Sequence, residues 1–141
     1  MKGLAHKNYK RTSTMLYKNI LLIDDDSDDT EIFIEAINDL NDTIKCVAET
    51  NPIKALENLQ SSDKLPDLIF LDYNMPSMNG CEFLEKMRQV KQLRQIPVIL
   101  YSNYSQAAAE HLCITNDTEK YITKPNSFKE LKALLKNILE P

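Results

Sequence analysis

Apolar residues fall in short unbroken blocks that alternate with longer stretches of helical spacing. Ile20-Leu21-Leu22-Ile23, Leu68-Ile69-Phe70-Leu71 and Val98-Ile99-Leu100-Tyr101 are continuous, as strands buried on both faces require. Strands are predicted at about 19–24, 68–72 and 97–102, with weaker ones at 44–48 and 120–123. After the first strand, Phe33, Ala36, Ile37 and Leu40 recur on one helical face. Asn51-Pro52 supplies an N-cap and a proline at the first helical position, before Leu56 and Leu59. Phe83, Leu84, Met87 and Val90 mark a third helix, and residues 105–114 a fourth. The last helix opens with the capping pattern Ser127-x-x-Glu130 and turns Phe128, Leu131, Leu135 and Ile138 inward. Strand and helix alternate, which predicts an α/β fold with a parallel sheet.

Polar groups stand where these blocks end. The first strand runs into Asp24, Asp25 and Asp26, the third into Asp72, the fourth into Ser102, and the fifth into Lys124-Pro125. In a parallel sheet the C-terminal strand ends share one edge, and ligands bind in the crevice there. Three carboxylates, a hydroxyl and an ammonium are thus brought to one pocket. That set suits a divalent cation and a phosphoryl group.

The acid pair in ILLIDDD, LDYNMPSMNG around Asp72, IPVILYS around Ser102 and YITKP around Lys124 occur in that order. Across residues 17–140 this resembles the receiver domain of two-component response regulators. The resemblance implies a doubly wound, flavodoxin-like, five-stranded parallel sheet in the order 2-1-3-4-5. It implies that Asp72 accepts a phosphoryl group as an acyl phosphate. Asp24, Asp25 and Asp72 would hold Mg²⁺ (or Mn²⁺), joined by the backbone carbonyl of Asn74. Ser102 and Lys124 would meet the phosphoryl oxygens. Ser102 and Tyr121 match the family's switch pair, while Asn74 and Tyr104 occupy the positions that tune hydrolysis. Lys124-Pro125 is a candidate cis peptide. Asp26, Asp28 and Asp29 read as favourable charge at a helix N-terminus.

Two positions depart from the family pattern. Asn103 stands where receivers carry a very small residue, which bears on access of a phosphodonor to Asp72. Thr115-Asn116-Asp117-Thr118-Glu119 replaces a Gly-Ala turn. Two competing motifs fail. Asp24-x-Asp26-x-Asp28 with Glu35 mimics a calcium loop, but Asp29 holds the glycine position and a strand precedes the loop. Asp72-x-Asn74 is similar to the haloacid-dehalogenase-type phosphohydrolases, but Asn74 cannot transfer the proton their second aspartate handles.

The 141 residues fit one domain. Residues 1–15 are basic and without periodicity, so a disordered tail is expected there, with the receiver over 16–141. A net charge of −4 argues against a general nucleic-acid binder. No apolar run approaches the ~20 residues that cross a bilayer, and no secretory apolar block follows the first lysines. Cys46, Cys81 and Cys113 form no C-x-x-C pair and are expected as free thiols in a cytoplasmic protein. The expected function is that of a stand-alone response regulator, a phosphoacceptor with Mg-dependent self-phosphorylation and self-dephosphorylation rather than an enzyme. Its expected partners are a histidine kinase or histidine phosphotransfer protein, and a downstream protein on the face of helix 105–114, strand 120–123 and the last helix. Neither nucleic acid nor membrane is expected. The alternatives are a phosphorelay intermediate and a constitutive interaction module that is never phosphorylated; a small phosphohydrolase is disfavoured.

Overall fold

Every residue of the third and fourth strands is buried, so the sheet has a covered face on each side. The structure, a computed structural model, describes residues 17–103 and 120–140. Strands β1 (Asn19–Ile23), β2 (Lys45–Glu49), β3 (Leu68–Leu71), β4 (Val98–Ser102) and β5 (Lys120–Thr123) form one sheet in the order β2-β1-β3-β4-β5. All four pairings are parallel. The expected order holds. The strands stop a residue short of the predicted ends at Asp24 and Asp72, which lie just beyond the sheet.

Side chains alternate across the sheet and divide the core in two. Leu22, Phe70, Ile99 and Tyr101 pack with Phe33, Ala36 and Ile37 of α1 (Ser27–Leu40) and with the last helix, α4 (Phe128–Leu139). Ile23, Ile69, Leu71 and Leu100 face α2 (Pro52–Ser61) and α3 (Gly80–Arg88). Asn51 caps α2 through the N–H groups of Ile53 and Lys54 with Pro52 behind it, as the sequence predicts.

Several expectations are corrected. Phe128 is 37% exposed and lies beside the Lys132 ammonium, while Leu131, Leu135 and Leu139 are the buried residues of α4. The buried line runs at i, i+4, i+8 from Leu131, so Phe128 in the opening turn falls outside it and Ile138 is only partly buried. Ser127 accepts from the Glu130 N–H, but the reciprocal capping box stands at Asn79 and Glu82 on α3. A 3₁₀ turn, Lys91–Leu93, follows α3, and Arg88 Nη1 donates to the carbonyls of Leu93, Arg94 and Ile96 around it. Lys124-Pro125 is trans, the intrinsically favoured form of an X–Pro bond. Cys46 is free and burial pushes its thiol up to about 12, but Cys81 is disulfide-bonded. The predicted helix 105–114, the turn 115–119 and residues 1–15 lie outside the described residues.

Candidate functional site

Cross-strand hydrogen bonds continue for one residue past the strand ends, and there they fix the functional groups. Asp24 N–H donates to the Glu49 carbonyl at 3.2 Å, Asp72 N–H to Ile23 at 2.9 Å, and Lys124 N–H to Ser102 at 2.7 Å. Asp24, Asp72 and Ser102 are the buried polar residues here, at 0%, 5% and 2% exposure, while Asp25 is exposed. One oxygen from each of Asp24, Asp25 and Asp72 lies within 4.8 Å of the others. The sequence placed these groups at one edge, and there they meet.

The cleft over them holds about 460 Å³ and is lined by Asp25, Asp26, Asp29, Asp72, Asn74, Asn103 and Lys124. Asn103 therefore borders the approach to Asp72, as its departure from the family pattern suggested. A larger cleft of about 600 Å³, between β1, β2 and α2, contains none of the predicted site residues. Tyr121 is half-buried against the cluster of Ile23 and Leu71, and its buried hydroxyl has no hydrogen-bond partner among the described residues. Tyr104 lies outside them.

Lys124 is more occupied than the sequence suggests. Its Nζ lies 2.7 Å from Asp24 Oδ2 and 2.9 Å from Asp29 Oδ2, but 3.9 Å from Asp72 Oδ2. The Asp24 contact is one of charge, since that oxygen accepts no aligned hydrogen bond; the Asp29 contact is a hydrogen bond. Asp29 thus belongs to the site. It opens the α1 turn together with Asp28, whose position gives both the favourable N-terminal charge that was expected. Only its reach to Lys124 was missed, and no spacing rule links residues 95 positions apart.

Burial pushes the Asp72 carboxyl up, and the Asp24 and Asp25 charges add to this. Lys124 and the Asn74 N–H pull it down, leaving it at about 7. Burial works to lower Lys124, but the close Asp24 carboxylate, the hydrogen bond to Asp29 and the Asp72 charge carry it above the ordinary lysine value. The ammonium stays charged. Burial likewise raises the Tyr101 phenol, over whose ring Lys124 Nζ lies 5.6 Å from the centroid. Beneath it, Tyr101, Phe33 and Phe70 meet edge to face.

A family model described as the response regulator receiver domain matches residues 20–136, and the chain belongs to that family. The chain is 30% identical over 121 residues to the sensor histidine kinase CheAY of Helicobacter pylori, covering 86% of this chain and 15% of that protein. Two-component response regulator ORR5 of Oryza sativa is 26% identical, with 86% and 88% covered. The chain spans about a third or less of the length of several other curated relatives it matches. Among solved structures, the phosphorylated cyanobacterial phytochrome response regulator RcpA superposes with a TM-score of 0.76 at 26% identity, covering 86% of this chain and 91% of that one. The Mn²⁺-bound response regulator Rcp1 gives 0.73 at 25% identity, with 87% and 95% covered. Among the described residues, no helix is long and apolar enough to cross a membrane.

Proposed function

We propose that Asp72 accepts a phosphoryl group from a phosphohistidine donor and that the resulting acyl phosphate changes which protein this receiver binds. The carrying observation is the buried Asp72 at the edge of one cleft, with the acid pair and the Lys124 ammonium gathered beside it. An Asp72 oxygen attacks phosphorus, and the donor's bond to phosphorus breaks with its electron pair leaving on the donor. Lys124 and Ser102 meet the transferred oxygens.

The donor set fits a hard divalent cation. Its three carboxylate oxygens all lie within 4.8 Å of one another, and Mg²⁺ is held through a few carboxylates with other oxygen ligands completing its shell. Asp24, Asp25, Asp72 and the Asn74 carbonyl would hold Mg²⁺ or Mn²⁺, which when bound neutralises charge on the transferred oxygens. Rcp1 binds Mn²⁺ in its own structure, which supports this reading. Receivers interact with histidine kinases and downstream proteins; here the donor is a histidine kinase or a phosphotransfer protein. The downstream face is proposed to include β5 and α4, with Ser102 and Tyr121 as the switch pair. Asn74, which lines the cleft, is proposed to orient the attacking water, and Tyr104 is proposed to oppose it.

With Mg²⁺ and a small-molecule phosphodonor, the protein acquires hydroxylamine-labile label. Asp72→Asn abolishes it without unfolding the domain, and chelating the metal stops the reaction. Label persisting in Asp72→Asn overturns the assignment. Asn74→Ala is expected to lose phosphate more slowly than the parent, and Tyr104→Ala faster, in dephosphorylation time courses.

A further inference from the structure

We infer that Asp29 is a positioning residue that holds the Lys124 ammonium off the phosphoacceptor and so sets how readily Asp72 is phosphorylated. The inference rests on the reading of Asp72 given above. It stands on three distances. The ammonium is hydrogen-bonded to Asp29 at 2.9 Å and paired with Asp24 at 2.7 Å, leaving Asp72 at 3.9 Å. The lysine side chain is 8% exposed, so water supplies little of its solvation and the carboxylates supply most.

Asp29 is itself placed by the helix start. Its N–H donates to Asp26 Oδ1 at 3.2 Å, which anchors the first turn of α1 beside the cleft. Its side chain is 38% exposed, so its carboxylate can turn to water once the ammonium leaves. When the bond from Asp72 to phosphorus forms, the transferred oxygens bring new negative charge next to Lys124. The ammonium must then exchange Asp29 for phosphoryl oxygen while keeping its protons. A charge-assisted bond is about twice as strong as a neutral one. The barrier to phosphorylation therefore includes breaking the Asp29 contact.

The test compares Asp29→Asn, Asp29→Glu and Asp28→Asn in the full chain, with Mg²⁺ and an anionic small-molecule phosphodonor at fixed ionic strength. Asp29→Asn is expected to be labelled about 3- to 10-fold faster than the parent. Asp28→Asn removes the same charge one residue away and is expected to change the rate less than about twofold, because exposed charges are screened. Asp29→Glu keeps the acceptor and is expected to stay near the parent. Nitrogen NMR of the Lys124 ammonium gives a readout that a merely structural role would not move. Its signal shifts in Asp29→Asn and not in Asp28→Asn. Equal acceleration by both neutral variants, or an unmoved Lys124 signal in Asp29→Asn, overturns the inference and leaves the function of Asp72 standing. A parent that takes no label at Asp72 removes both.

Discussion

At the β1–α1 junction the carboxylates are held by their own neighbours in sequence. Asp24 Oδ1 accepts from Asp26 N–H at 3.0 Å, and Asp26 Oδ1 accepts from Asp28 and Asp29 as the helix cap. At the β3–α3 junction the Asp72 carboxylate likewise accepts from a neighbour, the Asn74 N–H, but the loop that follows is fixed by close backbone packing. The Asp72 N–H reaches across to Ile23, and the loop after it is closed by Gly80 N–H on the Tyr73 carbonyl at 2.7 Å. A side chain on Gly80 would begin 2.7 Å from the Asp72 carbonyl oxygen and 2.9 Å from Tyr73 Cα. One junction relies on side-chain chemistry, the other on close backbone approach. The first should tolerate substitution in steps, and the second should fail abruptly.

The largest effect is expected at Gly80. Gly80→Val forces the backbone carrying Asp72 to move, which is expected to cost about 3 kcal/mol or more in stability and at least about tenfold in labelling rate. Thermal melting and labelling measure the two losses; a neutral result would show that the loop yields freely. Asp26→Ala removes a helix cap and is expected to cost about 1 kcal/mol while leaving Asp72 labelling within a few-fold. Abolished labelling in that variant would erase the contrast between the junctions.

A subtler effect follows from protonation. The Asp72 carboxyl titrates at about 7 in the folded chain against 3.8 as its ordinary value. Between those values the folded state binds more protons, so in metal-free buffer stability falls as pH rises through that window. Asp72→Asn removes the dependence. It is expected to be more stable than the parent at neutral pH, the difference shrinking toward pH 4, which denaturant titrations at several pH values would show. A parent whose stability rises over that range would mean that Lys124 outweighs burial at Asp72.

The middle of the sheet was legible because β3 and β4 are buried on both faces, and a run such as Leu68–Leu71 has little other use; β2, with Val47 51% exposed, carries a weaker signal. The site was legible because each functional group sits at the end of such a run. Asp29 was not, since its pairing with Lys124 depends on how α1 and the end of β5 meet in space. Its local role at the helix start already accounted for an acid there. The face of α4 was misjudged at its ends. Leu131 and Leu135 fit several inward faces equally, and packing against α1 and the sheet selects Leu139 over Phe128. The disulfide at Cys81 depends on distance between chain segments, which cysteine spacing alone does not provide.

The Lys124 ammonium above the Tyr101 ring has an optical consequence. The chain contains six tyrosines and no tryptophan, so no indole drains tyrosine emission or masks its near-ultraviolet bands. Tyr101 is buried within an edge-to-face aromatic group and is asymmetrically seated, conditions that give a phenol a distinct circular-dichroism band. A positive charge leaving the ring face alters the field on that chromophore. The wild-type chain thus carries an internal spectral gauge of where its lysine stands, readable without a dye or an engineered label.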